Sequence, residues 1–366
     1  MNTSSTLCVA KSSISSTFST ITSFLFMCII LSGLNAQHSS LNTYGYFDLE
    51  AEVSNRDSQS KHWTFDQHHL NFLAIYTLDD HFRVFTEIEW EHGVLQDDQV
   101  TRGRIYVARA FLNYHHSDGF TIQAGKFLPP FGIYNELHDA TPTFLFTILP
   151  MSIYGSHLID GLHRDRLFAK LITGVKVSGN HFFKHWQFDY QVYLGNGRGP
   201  NPDEKDNNSN KGLGGQLRIH HPSNLFSLGA SFYTEKNGDF NNLRLYTPGV
   251  DFQLDFKNLH LQSEIFFPFI ERMDNDGNPL NRFRKAVGWY IQEGYTIRDK
   301  ITPFSRFDLF DSSWKTASDY HTDTVLGVNI ALSTEVFWKG EVHFFRYSNP
   351  SNKDYELFIT SIAVAF

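Results

Sequence analysis

Residues 355–366 read YELFITSIAVAF, which puts Phe358, Thr360, Ile362, Val364 and Phe366 on one face of an extended strand and the intervening side chains on the other. The last side chain is a bare Phe, where the fraying end of a soluble domain is usually polar. An alternating strand with one apolar face and an aromatic at its rim is what a transmembrane β-barrel needs where the sheet meets the lipid interface. The stretch therefore predicts an all-β fold and a membrane compartment together.

The same period of two runs back through the chain. Phe47, Leu49, Ala51 and Val53 alternate with Tyr46, Asp48, Glu50 and Glu52, and Val84, Thr86, Ile88 and Trp90 alternate with Arg83, Phe85, Glu87 and Glu89. Repeating the reading gives sixteen strands, near 44–53, 67–76, 82–91, 104–114, 119–127, 166–178, 184–194, 212–220, 225–234, 244–256, 258–269, 285–297, 300–310, 322–332, 334–346 and 355–366. Their connections alternate in length. Short joins at 78–81, 115–118, 179–183, 222–224, 257, 298–299 and 333 are separated by long polar stretches at 54–66, 92–103, 128–165, 195–211, 235–243, 270–284, 311–321 and 347–354. That asymmetry belongs to an up-and-down transmembrane barrel of antiparallel strands, with short turns at one rim and long loops at the other. A sandwich with Greek-key crossovers would not keep it.

The beginning of the chain agrees with export. Up to Thr22 the sequence is rich in Ser and Thr with Lys11 as its charge; an apolar run, 24–31, and a small-residue stretch, 32–36, follow. This is the pattern of a secretory signal peptide, too short for a spanning helix of about 20 residues. The expected division is a signal peptide over 1–36 and one barrel domain over 37–366. Cys8 and Cys28 both fall in the first part, so the mature chain has no thiol for a disulfide or metal site. It keeps 30 of the 31 Lys and Arg and all 39 Asp and Glu, a net charge of −9 that disfavours nucleic acid as a partner.

Sixteen strands enclose an aqueous channel, whereas eight only just pack an interior. The polar strand faces are therefore expected to line water, because a charge facing lipid at mid-depth costs about 2–4 kcal/mol. Asp48, Glu50, Glu52, Arg83, Glu87, Glu89, Arg109, Lys126, Lys170, Lys176, Arg218, Asp251, Asp255, Glu264, Arg306, Asp308, Lys339 and Glu341 form this expected wall. The longest connection, 128–165, is unlike a surface loop in composition, with Pro129-Pro130-Phe131-Gly132-Ile133-Tyr134 and then Phe144-Leu145-Phe146. It is expected to fold into the barrel and to set ion selectivity where Glu136, His138, Asp139, His157, Asp160, His163, Arg164 and Asp165 meet wall charges.

The segment AGKFLPPFGIYNE, 124–136, resembles the phosphate-selective porin O and P family, whose members carry a G-[KQR]-F…PF segment at a strand end before a long loop; PFSRFDLFD, 303–311, and GVKVSG, 174–179, are similar to stretches of that family as well. The resemblance implies a sixteen-stranded porin in the outer membrane of a Gram-negative bacterium. It also implies passive solute diffusion, an often trimeric assembly, contact with lipid and lipopolysaccharide, and a terminal aromatic strand read by the barrel assembly machinery. Phosphate selectivity in the family relies on inward Arg and Lys, and the mixed, net acidic wall here lacks such a ladder. Phosphate specificity is therefore not carried over.

No cofactor, metal site or enzymatic step is expected. The histidine pairs His68-His69, His115-His116 and His220-His221 would point to opposite faces of a strand and cannot share an ion there. Asp274 to Asn278 lacks the glycine and bidentate Glu spacing of a calcium loop, since the twelfth position is Lys285. No G-x-S-x-G occurs. The rival reading is an outer-membrane phospholipase-like hydrolase, which would need a Ser and a His to meet at the lipid-facing rim; a surface adhesin or receptor using the long loops is a third.

Overall fold

The computed structural model describes residues 39–56, 61–91, 104–137, 140–159, 162–197, 205–274, 276–314 and 319–366. The signal segment expected over 1–36, both cysteines, His138, Asp139 and Asp160 lie outside the described residues. Apart from a small hairpin and a few single helical turns, the described residues form one antiparallel sheet of nineteen segments, and three staves are each broken once, giving sixteen staves. They are β1 (Ser40–Ser54), β2 (Thr64–Asp66 and His69–Thr77), β3 (Phe82–Glu91), β4 (Arg104–Ser117), β5 (Phe120–Phe127), β6 (Ile172–Phe183), β7 (Trp186–Asn196) and β8 (Lys211–His220). The second half comprises β9 (Phe226–Asn237), β10 (Leu243–Phe256), β11 (Leu259–Phe266 and Phe269–Met273), β12 (Pro279–Lys285 and Val287–Tyr295), β13 (Ile301–Asp311), β14 (Tyr320–Ala331), β15 (Val336–Tyr347) and β16 (Tyr355–Ala365).

Each stave pairs with the next, and β16 returns to β1 with Tyr46 opposite Ala365 and Ser54 opposite Leu357. Phe366 completes the seam: its amide donates to the Gly45 carbonyl at 2.9 Å and its carbonyl accepts the Gly45 amide at 2.7 Å. With no free edge, every stave finds partners on both sides. The short turns use residues that tolerate positive φ, including Arg298 and Asp299 at 53° and 56° between β12 and β13. The break in β11 falls at Pro268, which has no amide to give to the ladder.

The outer face is apolar. Leu49, Phe72, Val192, Leu194, Leu217, Leu228, Val250, Leu326, Phe358 and Ile362 are all exposed on it, and they form the belt that hydrocarbon covers. Trp63, Phe65 and Tyr246 lie toward the loop rim, and Phe120, Phe256, Tyr295 and Phe366 toward the turn rim, as exposed aromatics.

Three expectations need correction. The strand expected over 166–178 begins at Ile172 and runs to Phe183, with the turn at Lys184, whose φ is 57°; the interval 179–183 is sheet. Residues 166–171 therefore belong to the long connection, and Lys170 lies on its exit rather than on the wall. The stretches 235–243 and 270–284 are shorter as loops than expected, because β9 continues to Asn237 and the β11–β12 hairpin carries its ladder out to Met273 and Pro279. Finally, His68 and His69 do not point apart. β2 is broken beside them and their rings stack at 3.9 Å, each reaching a β1 carboxylate, Glu50 at 3.4 Å and Asp48 at 3.1 Å.

Candidate functional site: a loop clamped across the bore

The connection 128–171 leaves β5, crosses the bore, and returns to β6. Its aromatic residues form the main apolar cluster, in which Phe131 stacks on Phe168 at 4.1 Å and Tyr134 meets Phe144, Phe146 and Tyr154 edge-on at 5.3, 5.2 and 5.8 Å. This explains why the segment is apolar in sequence: it packs against apolar residues that the staves turn inward, among them Phe127, Tyr193, Tyr233, Phe266 and Tyr290.

The first crossing point is tight. Gly132 has φ of 63°, a conformation that L side chains adopt rarely, and a Cβ there would lie 2.0 Å from Oε2 of Glu264 and 2.6 Å from the Tyr154 hydroxyl. Its amide donates to Ser231 at 3.1 Å, and its carbonyl accepts from Gln216 at 2.8 Å and Arg218 at 3.1 Å. Glu264 then gathers donors from the loop and the wall, the Ile133 amide at 3.2 Å, the Tyr154 hydroxyl at 3.0 Å and the Tyr290 hydroxyl at 2.7 Å. Next along the chain, Glu136 binds Lys176 at 2.8 Å and Gln191 at 2.9 Å, while its carbonyl accepts from Arg109, which is itself paired with Glu87. Burial pushes the Glu136 carboxyl up, but the Lys176 ammonium, the Gln191 amide and the Arg218 guanidinium together outweigh this and hold it below the ordinary carboxylate value.

The far wall holds 141–152 with a second set of side chains. Lys339 donates to the carbonyls of Thr141 and Phe146, Asn329 to those of Phe144 and Leu145, and Arg306 to that of Ile148. Glu341 accepts the Thr147 amide, Asp308 accepts the Ser152 amide at 3.1 Å, and Thr147 meets Ser361 at 2.8 Å. Polar backbone in the middle of an apolar cluster is thus met by charged and amide groups of the wall. A brace joins the two ends of the loop, because Asn135 donates to the Pro129 carbonyl at 2.7 Å and the Ala169 carbonyl at 3.3 Å and accepts from Arg166 at 2.6 Å.

The wall charges are therefore placed otherwise than their sequence pattern suggests. Glu87, Glu89, Arg306, Asp308, Lys339 and Glu341 do point into the bore, yet each is at most 2% exposed. Arg306, Asp308, Lys339 and Glu341 face the loop instead of water, and Glu87 is enclosed by Tyr46, Asn71 and Arg109 of the wall. Arg109 and Lys176 join Glu136 on the opposite side, and Arg83 stays exposed at the turn rim. Lys126 is on the other face of β5: Phe127 packs inward against Tyr193, and Lys126 reaches the Val107 carbonyl at 2.9 Å. Alternation along β5 puts the buried Gln123 and Phe127 inward and so turns Lys126 outward. The reading missed Asn329, Gly132, Asn135 and His343, whose roles depend on the loop's path. His343 bridges Asp323 at 2.8 Å and Glu341 at 3.2 Å under the loop.

Among the described residues, a Ser–His contact of the kind a hydrolase would need occurs between Ser223 Oγ and His221 Nδ1 at 2.9 Å. Both residues belong to one exposed turn, and the Ser223 amide donates to that same nitrogen at 3.3 Å, so the contact closes the turn.

No family model matches the chain. A stretch of 69 residues is 36% identical to an uncharacterized protein of Aquifex aeolicus, covering 19% of this chain and 15% of that protein. Among solved structures, the chain is similar to the anion-selective porin from Comamonas acidovorans (TM-score 0.64, 13% identity, 90% of this chain and 100% of that one). It is similar also to the outer membrane channel DcaP of Acinetobacter baumannii (TM-score 0.62, 11% identity, 90% and 98%). A third likeness is to in-vitro folded OmpT, an outer membrane protein of Vibrio cholerae in a trimer form (TM-score 0.57, 11% identity, 90% and 99%). The chain has the closed sixteen-stave porin barrel of outer-membrane proteins.

Proposed function

We propose that this chain is an outer-membrane porin for passive diffusion of small hydrophilic solutes or ions, with permeation controlled by the loop 128–171. The observation that carries this reading is the loop itself, folded across the bore and held on both sides by charged wall residues rather than packed outside. The loop rim then faces the exterior and the turn rim the periplasm. In this reading 1–36 is a signal peptide, removed to leave 37–366. Arg109, Lys176 and Glu136 form the charged side of the constriction, and Arg306, Asp308 and Glu341 hold the loop to the opposite wall. Membership of the phosphate-selective porin O and P family rests on the motifs at 124–136, 174–179 and 303–311, and a homotrimer on that resemblance together with the trimer form of the OmpT relative. Lipid, lipopolysaccharide and the assembly machinery are the partners it implies. Catalysis forms no part of it.

Single-channel recording in a planar bilayer tests it. The full chain is expected to give small steps that grow on deletion of 137–165, and silence of both forms overturns the reading. In a salt gradient, Arg83→Gln is expected to shift the reversal potential because Arg83 is exposed at the mouth. Lys126→Gln is expected to leave it unchanged because Lys126 points outward.

The loop's hinge region responds to acid. His157 is stacked on Phe310 at 3.7 Å, and burial, with His321 adding to it, pushes its imidazole down to about 3 from 6.5. Above 6.5 the group is neutral whether the loop is packed or not. As pH falls below 6.5 only the unpacked form takes up the proton, so packing weakens by about 1.4 kcal/mol per pH unit until about 3. Glu136, with its lowered value, keeps its contact throughout most of that window. Thermal unfolding is expected to drop between pH 7 and 5 in the wild type, and His157→Phe to reduce the drop.

A further inference from the structure

At the loop rim, between the hairpin formed by Ser156–Ile159 with Leu162–Asp165 and the ends of β13 to β16, lies a cavity of about 510 Å3. That is within the range of roughly 300–1,000 Å3 typical of small-molecule sites. Rings follow one another along its wall. His157 stacks on Phe310, Phe310 meets His321 at 5.6 Å, His321 meets Tyr347 at 5.6 Å, and Tyr347 meets Tyr355 at 6.3 Å. Arg56 covers the last ring, its guanidinium 5.0 Å from the Tyr355 centroid.

One of the lining side chains has buried polar atoms without a protein partner: both ring nitrogens of His157 lack one. Asp319 accepts from Ser312 and meets the carboxyl of Asp311. His157 is 2% exposed and its side chain lines the cavity. A buried donor or acceptor left unpaired costs about 1–3 kcal/mol, so these atoms favour a ligand that supplies their partners. A neutral imidazole presents one donor and one acceptor, and Asp319 presents an acceptor beside the carboxyl of Asp311. Hydroxyl groups answer all of these at once, since each both donates and accepts. The rings offer flat apolar surface to the C–H face of the same molecule. Arg56 and Asp319 carry opposite charges, so the cavity has no dominant sign to favour a simple anion or cation.

We propose that this cavity binds a small polyhydroxylated solute, of the size of a mono- or disaccharide, at the loop-rim entrance of the barrel. The inference deepens the channel reading by naming a solute class for its mouth, and its test does not depend on conduction.

Isothermal titration calorimetry on the full chain folded in detergent micelles, with glucose and maltose as probes and glutamate and inorganic phosphate as charged rivals, decides it. Saturable heat with a saccharide is expected, weakened at least tenfold by His157→Ala and by Asp319→Asn. Asp319→Asn serves where His157→Ala disturbs the loop, because it keeps the shape and the Ser312 contact while changing the acceptor. No saccharide binding, binding of phosphate or glutamate instead, or full affinity in Asp319→Asn and Tyr347→Leu overturns the proposal. Saccharide binding by a barrel that passes no current would keep this proposal and sink the channel reading; current without saccharide binding would do the reverse.

Discussion

Lys339→Met is expected to raise single-channel conductance and to lower the stability of the barrel by about 3–5 kcal/mol, the usual cost of removing one member of a buried charge constellation. Lys339 is fully buried and is the cation that faces Glu341, Asp48 and Glu50 while donating to two loop carbonyls. Methionine matches its length but supplies no proton and no charge. The carbonyls of Thr141 and Phe146 lose their partner, and the surrounding carboxylates lose their counter-charge. The loop segment 141–148 should then leave the wall for part of the time, which a bilayer recording reads as larger or longer steps. Denaturant unfolding reads the lost stability. Adding Glu341→Gln to Lys339→Met should recover part of the stability, because both charges are then gone, while conductance stays high because the Thr147 amide keeps a weaker acceptor. Unchanged conductance together with unchanged unfolding in Lys339→Met would show that the wall does not hold the loop.

Gly132→Val should unseat the opposite end of the same loop. The left-handed conformation costs a non-glycine residue roughly 1–2 kcal/mol, and more for a β-branched one. The steric conflict is larger still, because the first added carbon would overlap Oε2 of Glu264 and the Tyr154 hydroxyl. Either Glu264 gives up its donors or the loop moves off Ser231, Gln216 and Arg218. Limited proteolysis of the folded barrel is the measurement, with new cleavage within 130–170 expected. Gly277→Ala is the control. Its φ of 84° carries similar backbone strain, but the nearest atom to an added Cβ is Nδ2 of Asn241 at 3.3 Å, so it should change neither cleavage nor conductance. Equal effects from the two substitutions would reduce the tight crossing at Gly132 to backbone strain alone.

The staves were legible where a lipid-facing residue and its bore-facing neighbour differ in polarity, as Ile362 does from Ser361. Errors arose where a charge speaks against that rhythm or where the rhythm is absent. Along β5 the period turns Lys126 outward, yet its charge looks like a bore marker; it is an outer-face residue bonded to a neighbouring carbonyl. At 166–171, Leu167, Phe168 and Ala169 alternate with nothing and are fully buried because they cap the loop core, a tertiary role that no strand period encodes. The site was half legible. Composition set 128–165 apart from a surface loop, and alternation assigned Glu87, Arg306, Asp308 and Lys176 a direction. Their burial was not legible, since alternation reports which way a side chain points and says nothing of what fills the space it points into.

The brace between Asn135, Arg166, Pro129 and Ala169 has a consequence for how such a barrel can evolve. Because both feet of the loop are tied to each other, and its aromatics complete the apolar cluster that the staves begin, the obstruction and the keystone are one object. A lineage seeking a wider bore cannot whittle it down residue by residue without weakening the vault. It would have to exchange the whole segment, and the staves on either side, with their matched carboxylates and cations, would have to change with it.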